Sequence, residues 1–190
     1  DLNIEMYKSN QRLGATHPYG SSWYSWPVMA RPIYYWQNQT DTGEEKIYFI
    51  GNPIIWWAST AAVILLLLRN LQFTIYNFQS IFKSQFLKIK NNTKYLILDT
   101  GFILLGGYFL NLLPFIGVKR VMFLYHYLTA FIFAVIMLVW LISQQKNSEK
   151  IFKVLIIASI ISFVFFAPLS YGIELSDKFY WTRVWFANWR

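Results

Sequence analysis

Cysteine is absent from this chain of 190 residues. Its absence excludes a disulfide framework, a thiolate zinc site and a cysteine nucleophile, and leaves the compartment open. Histidine occurs only as His17 and His126, and no group of His, Asp and Glu has the spacing of zinc ligands. Charge is scarce: 14% of residues are charged, against about 25% in a soluble domain. Acidic residues are the rarer sign, 9 against 17 basic ones, for a net charge of +8. No internal repeat is visible. The chain opens on Asp1 rather than Met, and no basic, apolar, small-residue signal pattern follows it. It is therefore expected to be a piece of a longer protein.

What the chain does have is apolar and aromatic surplus, 56% and 21% of its residues. The surplus falls into blocks long enough to cross a bilayer, which takes about 20 residues rising about 1.5 Å each. The blocks are Pro53 to Leu68, Tyr95 to Leu113, Val121 to Ile142, and Ile151 to Tyr171. Pro53 suits a first helical position, with Asn52 before it as N-cap. Pro168 predicts a kink or stop near the end of the fourth block. Gly101, Gly106 and Gly107 in the second block predict close helix packing. The fold expected is an all-α integral membrane protein. Residues 1–52 form an aromatic outer loop, 53–172 four transmembrane helices, and 173–190 an outer tail. A haem with two axial histidines fails, because His126 has no second histidine within the spans.

Charge placement sets the expected orientation. Arg69, Lys83, Lys88, Lys90 and Lys94 lie between spans one and two with no acid among them. Lys146, Lys150 and Lys153 follow span three beside Glu149. Most acids, Asp1, Glu5, Asp41, Glu44, Glu45, Glu174 and Asp177, fall on the other side. Lys and Arg near span ends mark the cytoplasmic face, so both termini are expected outside. The positive charge thus reads as a topology signal rather than a nucleic-acid surface. Leu71 to Lys90 has helix-like apolar spacing and predicts an amphipathic helix on the cytoplasmic leaflet. Asp99, one turn into span two, is expected to snorkel, with Lys94 as partner. The Lys-, Asn- and Ile-rich composition and the lack of Cys lean towards a bacterial plasma membrane over an endoplasmic reticulum.

Two stretches draw functional interest. His17 to Tyr35, "HPYGSSWYSWPVMARPIYY", is too broken by Pro and Gly for a span and too aromatic for a linker. Trp23 and Trp26 offer flat faces for a sugar, and His17 and Arg31 supply polar or charged groups. The plain alternative is a rigid loop that docks on the helices and caps them. The second stretch holds Lys119, Arg120, Tyr125 and His126 at an outer span end. Read as helix, positions 119, 122 or 123, and 126 share a face. Donors so placed suit a lipid phosphate at the interface, or they form an aromatic belt with snorkelling cations. Asn38-Gln39-Thr40 fits an N-glycosylation acceptor.

Three motifs then stand in order. The first is "SSWYSWPVMARPIYYW", the second "KIYFIGNPIIWW" running into a span, and the third "KRVMFLYHYLTAFIF" from Lys119 to Phe133. With the closing "PLSYGIELSDKFYWTRVWFANWR", they resemble the C-terminal four-span region of the dolichyl-phosphate-mannose protein O-mannosyltransferases. The resemblance runs from about His17 to Arg190. Trp23 and Trp26 have an extra residue between them, and Thr129 stands where the family usually has Pro.

The resemblance implies a GT-C enzyme that moves mannose from a polyprenyl-phosphate carrier to Ser or Thr of proteins on the outer side. The donor is a substrate, and no cofactor is expected. Inversion at the sugar by direct attack of the acceptor hydroxyl is implied. The family's adjacent Asp and Glu lie in an upstream loop that this sequence does not include, and Glu44-Glu45 does not match them. Lys119, Arg120, Tyr125 and His126 are then expected to hold the lipid phosphate. His17, Trp23, Trp26 and Arg31 would belong to the sugar and acceptor loop. Expected partners are the membrane lipid carrier, a protein acceptor, and the upstream half of the enzyme or a partner subunit. A non-catalytic scaffold or lipid-binding subunit, and a sibling enzyme that glycosylates a lipid, remain as alternatives.

Overall fold

The computed structural model describes residues 1–12, 16–83 and 92–189. Four long helices are the frame: α2 (Pro53–Lys83), α3 (Asn92–Leu112), α4 (Leu128–Ser143) and α5 (Ser148–Tyr171). Four stretches long and apolar enough to cross a membrane run along them, Pro53–Gln72, Thr100–Gly117, Leu124–Ser143 and Ser148–Tyr171, the second and third including a 3₁₀ turn beside the helix. A short α1 (Leu2–Arg12) precedes them and α6 (Asp177–Trp181) follows.

Helix α4 is the centre of the bundle. Ala130, Ala134, Met137, Leu138 and Ile142 are buried at three- and four-residue spacing. Helix α2 answers with Trp56, Ser59, Ala62, Val63 and Leu66. Helix α3 brings Leu105, Tyr108 and Leu112. Two of the three glycines of α3 are contact points. A Cβ on Gly107 would fall inside the ring of Phe133 on α4, and one on Gly101 would lie 3.3 Å from Leu66 Cδ1. A Cβ on Gly106 meets nothing within 4 Å. Helix α5 turns Ile156, Ile157, Ile160, Ile161 and Val164 outward.

Asn52 does cap α2, its Oδ1 accepting from the Ile54 amide at 3.1 Å. Its amide donates to Ser159 O at 2.8 Å, which ties the start of α2 to the middle of α5. Pro168 does not stop α5. The helix runs on to Tyr171 and ends at Gly172, whose φ of 66° is the left-handed conformation that only glycine takes without strain.

The expected all-α fold needs correction. Ile33–Gln39 and Glu44–Phe49 form an antiparallel hairpin, β1 and β2, with a bulge between Tyr34 and Trp36. An open sheet edge of this kind would not be tolerated facing lipid. The β2 edge is partly covered, since Glu44 and Leu175 exchange backbone hydrogen bonds of 3.0 Å each way. Tyr48 and Tyr180 share a buried hydroxyl contact of 2.8 Å. Burial, then that bond, raises the Tyr48 phenol well above its ordinary range. Asn38 is exposed on β1, its amide donating to Glu45 Oε2.

The third span also differs. Residues 118–123 are not helical, Leu124–Tyr127 is a 3₁₀ turn, and α4 starts only at Leu128. Lys119, Met122 or Phe123, and His126 therefore do not share a helical face. Nor is the amphipathic stretch a separate element up to Lys83, because α2 continues through Arg69 and Asn70 without a break. Residues 84–90 of that stretch, with Lys88 and Lys90, lie outside the described residues, as do the side chains of Lys94 and Asp99.

The connections sort to two ends. The aromatic N-terminal segment, the hairpin, the 113–127 connection and the tail gather at one end of the bundle. At the other end Arg69 Nη1 lies 3.5 Å from Gln144 Oε1, beside the α4–α5 turn and its exposed lysines Lys150 and Lys153.

Candidate functional site

The N-terminal segment has little regular structure, so its carbonyls need partners from elsewhere. They come from the bundle and the tail. The Trp56 indole donates to Trp26 O at 2.9 Å, and the Thr60 hydroxyl to Pro27 O. Trp57 donates to Val28 O at 3.0 Å, and Trp189 to Met29 O at 2.9 Å. Four consecutive carbonyls are thereby held by three indoles and one hydroxyl. Met29, at φ 52°, turns the chain so that Arg31 follows on the other side.

Between this pinned segment and residues 118–122 lies an open cleft of about 500 Å³. His17, Arg31, Lys119 and Arg120 line it, with Ser21, Ser22, Ser25, Tyr24 and Asn188. Neither Asp nor Glu is among its lining residues. The Ser21 amide donates to Met122 O at 2.8 Å and so joins the two walls. The Trp26 indole donates to Ser21 Oγ at 2.9 Å, which takes an oxygen lone pair and leaves the hydroxyl proton for a ligand. The Ser25 hydroxyl is already committed to Ser22 O at 2.7 Å. Arg31 Nε is buried without a hydrogen-bond partner among the described residues. Arg31, Lys119 and Arg120 take part in none of the ion pairs of the described residues. Three fixed positive charges thus face one space without a counter-ion among the described residues.

The structure splits the residues singled out in the sequence. His17, Arg31, Lys119 and Arg120 come together on the cleft, though the sequence suggested two separate groups. Tyr125 and His126 do not line it. The His126 ring stacks on Trp26 at 5.9 Å and on Tyr125 at 4.4 Å. Its Nδ1 lies 3.2 Å from the Phe123 amide and 3.0 Å from Phe123 O, capping the turn that starts α4. Trp26 is fully buried and leaves no face for a sugar, and Trp23 is half-buried against the core. Ser21, Ser22 and Asn188 were not foreseen. The "SS" before Trp23 was the one local signal for two of them, and Asn188 had none.

Comparison with known proteins agrees with this architecture. Residues 1–189 match the family described as the C-terminal four TMM region of protein-O-mannosyltransferase, and the chain belongs to that family. Dolichyl-phosphate-mannose–protein mannosyltransferase 1 of Candida albicans is 28% identical over 88% of this chain and 19% of its own length. The enzyme of the same name from Saccharomyces cerevisiae is 28% identical over 97% of this chain and 23% of its own. Protein O-mannosyl-transferase 1 of Danio rerio is 29% identical over 91% and 25%. The solved S. cerevisiae protein O-mannosyltransferase Pmt1-Pmt2 complex bound to the sugar donor superposes with a TM-score of 0.74 at 26% identity. That match covers 99% of this chain and 26% of the solved one. The chain thus spans about a fifth to a quarter of the relatives it matches. It is part of a multi-pass membrane protein. These relatives, from yeasts and a fish, give no support to a bacterial membrane.

Proposed function

We propose that this chain is the C-terminal part of a mannosyltransferase that uses a polyprenyl-phosphate-mannose donor, and that its basic cleft holds the donor's phosphate. The acceptor is a Ser or Thr hydroxyl of a protein on the outer side of the membrane. The acidic pair that takes the hydroxyl proton belongs to the upstream half. The gathering of Arg31, Lys119 and Arg120 around one space, with no carboxylate among the described residues that line it, carries the reading. A phosphodiester anion would lie between them, with the Ser21 hydroxyl as a further donor. The same contacts would stabilise the phosphate as its bond to the sugar breaks. His126 acts as a positioning residue, through the Phe123 turn that leads from Arg120 into α4. The family membership, and a solved relative described as bound to the sugar donor, support this assignment. That relative is a complex of two chains, which supports a partner subunit here.

The cleft end is assigned to the outer side, because Lys150, Lys153 and Arg69 lie at the opposite end. A cysteine at position 20, or at the exposed position 179, should react only with reagent added outside. For the cleft, the test is full-length protein with Lys119→Ala and Arg120→Ala, assayed with labelled polyprenyl-phosphate-mannose and a Ser/Thr peptide. Donor KM should rise tenfold or more while the peptide KM stays put. An unchanged donor KM in the inserted double variant would reject the phosphate site.

A further inference from the structure

Resting on the assignment above, we infer that the cleft is built more for the product than for the donor, so that the polyprenyl phosphate left after transfer stays bound and inhibits the enzyme. The argument is one of charge. In the donor the phosphate is a diester and bears a single negative charge. In the reaction the acceptor oxygen forms a bond to the sugar's anomeric carbon, and the bond from that carbon to the phosphate oxygen breaks. The bonding electrons stay on the phosphate, and the hydroxyl proton goes to an upstream carboxylate. The lipid leaves as a monoester, which carries about −1.5 to −2 at neutral pH and three accepting oxygens.

Arg31, Lys119 and Arg120 supply three fixed charges, and among the described residues that line the cleft none is a carboxylate that would offset them. Arg31 Nε is buried without a partner among the described residues, so one donor is left for an incoming acceptor. Ser21 holds a hydroxyl proton in reserve, fixed by Trp26. Each of these contacts gains when the bridging sugar is replaced by a free, charged oxygen. The gain falls on the transition state as well, where that oxygen is already becoming negative. Strong transition-state stabilisation and slow product release thus have one cause in this site, and release then limits turnover.

The experiment uses the full-length protein in detergent or vesicles, with initial rates of mannose transfer at several donor concentrations. Polyprenyl phosphate, neutral polyprenol of the same chain length, and inorganic phosphate are added separately. Expected are competitive inhibition by polyprenyl phosphate with a Ki at least tenfold below the donor KM, and little effect of polyprenol at that concentration. Arg31→Gln should bring Ki to within about threefold of KM. Because Arg31 is partly buried, the exposed Lys119→Gln serves as a second variant, and its Ki/KM ratio should move the same way. A product Ki equal to or above the donor KM would overturn the inference and leave the donor site standing. Equal inhibition by polyprenol would assign binding to the isoprenoid tail and also overturn it. Inorganic phosphate as potent as the lipid would show a free-phosphate site instead. A donor KM insensitive to Lys119 and Arg120 would sink the donor site itself.

Discussion

The indole of Trp189 donates to the carbonyl of Met29 at 2.9 Å, joining residues 160 positions apart in the chain. Met29 and Trp189 are both buried, and Met29 holds a positive φ. The bond fixes the turn that carries Arg31 to the cleft, and the adjacent Asn188 is itself a wall of that cleft. The tail is therefore a structural part of the site rather than an appendage.

Trp189→Phe should keep most of the packing and remove only the donor. A buried carbonyl left without its partner costs about 1–3 kcal/mol. The expected result is a lower melting temperature and a raised donor KM, both read on purified full-length protein. A variant that melts normally and binds donor normally would show that the tail is dispensable.

Gly107→Ala should force the Phe133 ring from its place against α3, since the added methyl falls within it. Overpacking of this kind costs about 1–3 kcal/mol. Gly106→Ala, with open space around the new methyl, is the control and should be neutral or slightly stabilising. Thermal unfolding of the two variants side by side decides it, and equal melting curves would contradict the packing.

Hydrogen bonds from the Thr42 and then the Thr40 hydroxyl hold the Glu174 carboxyl below its ordinary range. As pH falls, the unfolded chain takes up this proton before the folded one does. The contribution is complete above the ordinary glutamate value of about 4.3 and fades as pH drops through the lower folded value. Protease resistance of the hairpin turn should therefore decline on the acid side. Glu174→Gln should be more susceptible at neutral pH and flatter with acid. Parallel acid profiles for the two proteins would remove Glu174 from this role.

His126→Ala should lower stability by about 1–2 kcal/mol through loss of the turn cap and of the stack on Trp26. His126→Asn, which can still accept from the Phe123 amide, should recover part of it. A direct phosphate ligand would behave differently: donor affinity would fall with melting unchanged, and Asn would not help. Melting and donor binding measured together on both variants separate these outcomes.

Much of the frame was readable in the sequence. The four apolar blocks became four helices, and Asn52 proved to be the cap of α2. The hairpin was present locally as two β-prone runs, Ile33–Gln39 and Glu44–Phe49, about the Thr42-Gly43 turn. The dense Trp and Pro pattern before it drew attention instead. The helical face proposed for Lys119 and His126 failed because the apolar run begins before the helix does. Val121 to Phe123 are apolar enough for a span, yet they serve as a wall for the N-terminal segment.

From the sequence by itself came the number of apolar spans and the candidates for anion contact. Hydropathy and charge are properties of each residue against its solvent, so they are legible one position at a time. Only the tertiary structure decided that His17, Arg31, Lys119 and Arg120 face one cleft while His126 turns away. That choice depends on which indole reaches which carbonyl across the whole length of the chain, and no local pattern encodes such long-range contacts.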